Sequence, residues 1–96
     1  MTDRPVTDVL RELLEEHGLT FRALAGRIGV SHAHLVNIAQ SRKPASGELA
    51  ARIATALGLR EDHFPETREA MVIAAVRSDP AYRDRLYARL ARARKD

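Results

Sequence analysis

The chain has 96 residues, 45% of them hydrophobic, and a formal net charge of +3. That length holds one domain with one modest core, and the lack of any cysteine excludes disulfides, thiolate catalysis and cysteine-ligated zinc. No apolar run approaches the ~18 residues needed to span a bilayer, and the start Met1-Thr2-Asp3-Arg4-Pro5 is polar, so a cytoplasmic protein with no membrane contact is expected.

Strand signals are nearly absent, and the pattern predicts an all-α bundle of five to six helices. Val6, Val9, Leu10, Leu13 and Leu14 recur at three- and four-residue steps. They predict a first helix from Val6 to His17, ended by Gly18. Thr20 caps a second helix that runs to Arg27 or Ile28 with Leu24, Ala25 and Ile28 inward. Gly29-Val30 makes a turn, and Ser31 caps a third helix, His32 to Gln40, anchored by Leu35 and Ile38. After the loop Ser41–Ala45, Ser46 caps a fourth helix that buries Leu49, Ile53, Ala54 and Leu57 and closes at Gly58. Glu66–Arg77 follows, with a core segment Ala70–Val76 that is apolar on every side. Asp79-Pro80 starts the last helix, with Asp as cap and Pro at its first position. Tyr82, Leu86 and Leu90 form its stripe, and most of its other positions are arginine.

Charge is unevenly placed along these elements. Residues 17–47 contain no acid, although the chain has 13. The same window holds Arg22, Arg27, Arg42 and Lys43, and the histidines His17, His32 and His34. A surface that meets phosphates is built this way, because a facing carboxylate weakens attraction and steering. A second basic block lies at the end: residues 77–96 hold seven basic and three acidic residues.

The stretch from Leu19 to Ile38 resembles the helix-turn-helix of the phage-repressor/Cro (XRE) family. Leu24-Ala25, Ile28-Gly29-Val30-Ser31, Leu35 and Ile38 carry the likeness. Arg42–Ser46 and Ile53–Gly58 extend it to residues 6–60. The resemblance implies that the 32–40 helix enters the major groove while the 20–28 helix bridges the DNA backbone. Relatives often end the reading helix with Glu, a polar residue and Gly; here Ala39-Gln40-Ser41 stands in that place.

At about 100° per residue, His32, Ala33, Val36, Asn37 and Gln40 share the face opposite Leu35 and Ile38. These five are the expected base readers. Asn37 suits adenine, His32 suits guanine, and Ala33 and Val36 suit a thymine methyl. Thr20, Arg22, Arg27, Ser31, His34, Arg42 and Lys43 are the expected phosphate contacts. His32 and His34 point about 200° apart on a helix and cannot share an ion, so no metal is expected.

Two domains of function are expected within the one fold: residues 1–64 as the helix-turn-helix DNA-binding part, and 65–96 as a helical extension. The extension carries Met71, Val72, Ile73, Val76, Tyr82, Leu86 and Leu90, more apolar surface than one small bundle covers. A homodimer interface is expected there, setting two reading helices about 34 Å apart. No catalytic constellation, Gly-rich phosphate loop or cofactor motif is present, so no enzyme and no cofactor is expected. The expected function is a transcriptional regulator, a repressor that occludes a palindromic site on double-stranded DNA. The alternative is an antitoxin-like or regulator-binding module that holds a protein partner through its C-terminal helices.

Overall fold

A computed structural model describes residues 1–40 and 45–95. Its elements are α1 (Val6–His17), α2 (Phe21–Ile28), α3 (His32–Gln40), α4 (Gly47–Ala56), α5 (Pro65–Ser78) and α6 (Pro80–Lys95), with no strand among the described residues. The all-helical expectation holds. Small polar side chains start most of these helices by taking up an otherwise unpaired amide. Thr20 accepts from Ala23 N–H at 3.0 Å, Ser31 from His34 at 3.1 Å, Ser46 from Leu49 at 3.1 Å and Asp79 from Tyr82 at 3.0 Å. Gly29, at φ 74°, supplies the left-handed residue that turns α2 into α3, and its N–H and that of Val30 both return to the Ala25 carbonyl.

The core is one cluster drawn from α1 to α4 and the connection that leads into α5. Val6, Leu10, Leu24, Leu35, Ile53 and Phe64 are fully buried at its centre. Leu13, expected in the inner stripe, is only partly buried at its edge. α3 packs on α1 and α2, and α4 packs on α2 and α5. α3 is thus held from behind by three apolar contacts in a short span, Leu35, Ile38 and the turn residue Val30.

The first turn of α5 belongs to this bundle. Glu66 and Thr67 are buried, and the Thr67 hydroxyl donates to the Gly47 carbonyl at 2.7 Å. Arg68 donates to the carbonyls of Asp62, His63 and Thr2 at 2.9, 2.9 and 2.6 Å, tying the N-terminal segment to the α4–α5 connection. Beyond that turn the chain leaves the core. α6 packs on α5, and the molecule extends to 47 × 27 × 22 Å. Met71, Val72, Ile73, Tyr82, Tyr87 and Leu90 are all exposed.

Candidate nucleic-acid interface

α3 presents the expected reading face outward. His32, Ala33, Asn37 and Gln40 are exposed, while Leu35 and Ile38 are buried on the other side. Val36 is half-buried, which leaves less of it for contact with a base. The 3.6-residue period places these groups, so this part of the site follows from local sequence alone.

The expected phosphate contacts fall into separate places. Thr20, Arg22 and His32 line one depression, where the start of α2 meets the start of α3. Arg11 of α1 lines it too, with its guanidinium 5.5 Å from the centre of the Phe21 ring. Arg11 lies outside the acid-free window and was missed for that reason; its cation–π contact with Phe21 is a tertiary feature. Glu15 lines the same depression. The window that is acid-free along the chain is therefore bordered by a carboxylate in space.

His34 lies on the other flank of α3, in a shallow hollow with Ser46, Glu48 and Arg52 of α4. Glu48 there is paired with Arg52 at 2.9 Å. Ser31 sits at the start of α3, and its hydroxyl is used as the cap.

Arg27 is separated from Thr20 and Arg22. It lines a trough between α4 and α5, together with Ala51, Glu61 and Met71. Five residues of helix turn a side chain by about 140° relative to Arg22, which carries Arg27 to the back of α2. Thr20 and Arg22 therefore share a depression that Arg27 does not line. Arg42 and Lys43 lie outside the described residues.

A short helix with small and polar outward residues, braced across a tight glycine turn by a preceding helix, defines a helix-turn-helix module, a DNA-binding class of fold. The chain belongs to the helix-turn-helix domain family, whose model matches residues 7–66. That span runs from α1 into the first turn of α5 and takes in the core bundle except Val6. No curated protein and no solved structure matches the chain. Among the described residues, no helix is long and apolar enough to cross a membrane.

Proposed function

We propose that this chain is a sequence-specific transcriptional regulator of the phage-repressor/Cro type. It acts as a repressor, binding a palindromic site on double-stranded DNA as a homodimer. One observation carries the reading: Asn37, Gln40, His32 and Ala33 stand together, exposed, on a helix whose opposite side is buried. Asn and Gln can grip adenine through two hydrogen bonds, and His can donate to guanine. The capped starts of α2 and α3, with Arg11 and Arg22 beside them, supply the positive end groups that meet phosphate.

The homodimer rests on α5 and α6. Met71 is 66% exposed, Ile73 47%, Tyr87 70% and Leu90 56%. Val76 and Leu86 are already half-covered within the chain. Apolar side chains in such number on two adjacent helices favour a protein partner, and a second copy satisfies them by symmetry. The same exposed surface favours, as the second reading, a module that holds a different protein and binds DNA secondarily.

Selection from a pool of random duplexes with the full chain tests the function. The expected product is an enriched motif with two inverted half-sites, about one helical turn apart centre to centre. A pool that stays random rules out sequence-specific binding. A single enriched half-site rules out the two-fold arrangement.

A further inference from the structure

We propose that an arginine stripe on α6, made by Arg85, Arg89 and Arg92, is a second contact with DNA, one that holds phosphates of the duplex without reading its bases. This inference rests on the DNA-binding reading of α3 and adds a surface to it. Residues 80–95, the span of α6, carry six basic residues and one acid, Asp84. Arg85, Arg89 and Arg92 are all exposed. Spaced four and then three residues apart, they fall within an arc of about 60° and form one line along the helix. Its ends are separated by about 10 Å of helix rise, the axial distance of about three phosphate steps on one strand of a duplex.

The charge of this line is not neutralised within the chain. Asp84 is paired with Arg83 at 3.0 Å and sits about 100° around the helix from the centre of the stripe. Arg85, Arg89 and Arg92 make no ion pair among the described residues. The Arg85 guanidinium lies 6.0 Å from the centre of the Tyr82 ring. A guanidinium held over an aromatic face keeps its N–H edge available to an anion.

The make-up of the line selects its partner. A protein partner needs an apolar or aromatic centre to bury. On α6 that centre is elsewhere: the stripe of Tyr82, Leu86 and Leu90 is centred about 90° away and remains for a second copy of the chain. A phosphate backbone needs aligned cations and room to approach them, and the small exposed Ala81 and Ala88 border the arginines. α6 packs on α5 and contributes no residue to the core cluster among the described residues. The stripe therefore stands outside the bundle that carries α3, as a contact beyond the bases that α3 reads.

The test compares the full chain with a triple variant, Arg85→Gln with Arg89→Gln and Arg92→Gln. Glutamine is a good helix former, so helicity and sedimentation should be unchanged. Both proteins are titrated across a range of salt against a long duplex that carries no selected motif. The expected result is a slope of log affinity against log salt shallower by about 2–3 in the variant, with the motif selected from a random pool unaltered. Lysine at the same three positions should restore the slope, because charge rather than shape releases the counterions. An unchanged slope overturns the proposal and leaves base reading by α3 standing. A shallower slope with a pool that stays random supports the α6 contact and removes base reading. A chain that binds no duplex overturns both. Altered sedimentation of the triple variant would place the stripe between chains and overturn the proposal. So would an unchanged DNA slope with loss of retention on phosphatidylserine vesicles, which would assign the stripe to a membrane surface.

Discussion

The side chain of Glu66 accepts a hydrogen bond from the backbone N–H of Val6 at 2.8 Å, joining the first turn of α5 to the first turn of α1 across 60 residues of chain. Pro5 precedes α1 and offers no side-chain cap, so the carboxylate of a distant helix takes that place. Glu66 is 5% exposed, and its second oxygen, Oε1, has no hydrogen-bond partner among the described residues. Replacing Glu66 by Ala leaves the Val6 amide unpaired in the core. The expected loss is about 1–3 kcal/mol of folding stability, read by denaturant melts. Glu66→Gln keeps an acceptor and should lose less. A chain ending at Phe64 should show the same loss as Glu66→Ala or more, because it lacks the whole first turn of α5. Equal stability of Glu66→Ala and the parent would show that this contact does not hold α5 to the bundle.

The crossing of α4 on α5 is set by Gly47. A Cβ built there would stand 2.5 Å from the Ala70 Cβ and 3.0 Å from the Glu66 carbonyl oxygen. Alanine is the better helix former by about 1 kcal/mol, yet the clash is with packed atoms that have little room to move. Steric cost should win, and Gly47→Ala should destabilise by roughly 1–3 kcal/mol. Adding Ala70→Gly should recover part of this, since the nearest clash is removed and the one with the Glu66 carbonyl remains. A stabilised Gly47→Ala would show that α5 is free to shift on α4.

How much of this was legible in the sequence depends on the range of the interaction. Thr20, Ser31, Ser46 and Asp79 announce their helix starts, because a cap acts on an amide three residues away. The outward face of α3 follows from the same local periodicity. The role of Glu66 did not show: read along the chain it is one more flanking acid, and only the fold brings Val6 to it. Arg27 illustrates the converse case. Its position in a basic window suggested phosphate, but the turn of α2 carries it to the trough. Arg11 and Glu15 enter the depression lined by Thr20, Arg22 and His32 from α1 for the same reason, that proximity in space crosses the borders of a sequence window.

That separation gives a salt-dependence prediction. Arg22→Ala should lower the slope of log affinity against log salt by about 1, and Arg27→Ala should leave it nearly unchanged. Glu15→Gln should raise affinity for all duplexes alike. The checks are binding titrations across a range of salt with one unrelated duplex. Equal slope changes for Arg22 and Arg27 would contradict the placement of Arg27 behind the interface.

His63 lies half-buried beside Phe64, ring edge to face at 5.0 Å. Burial first, then the charges of the N-terminal amine and Arg68, hold its imidazole below the ordinary value of 6.5, with Asp62 opposing. The unfolded chain therefore takes up this proton at higher pH than the folded one. Its contribution to stability is fully present above about pH 6.5 and is lost as pH falls through the lowered value. Thermal midpoints should decline as pH falls from about 7 through the lowered value, and His63→Gln should flatten that decline. An unchanged slope in the variant would assign the proton uptake to another group.

Base reading by α3 rests most directly on Asn37. Its affinity contribution is measured by titrating the parent chain and Asn37→Ala against the preferred duplex and against an unrelated duplex at one salt concentration. Asn37 is exposed on α3 and makes no side-chain hydrogen bond among the described residues, so its removal should leave the fold intact. The predicted result is a loss of about 1–3 kcal/mol at the preferred duplex, with relaxed preference at one base pair and little change on the unrelated one. Equal losses on both duplexes, or none on either, would contradict a base-reading role for the outward face of α3.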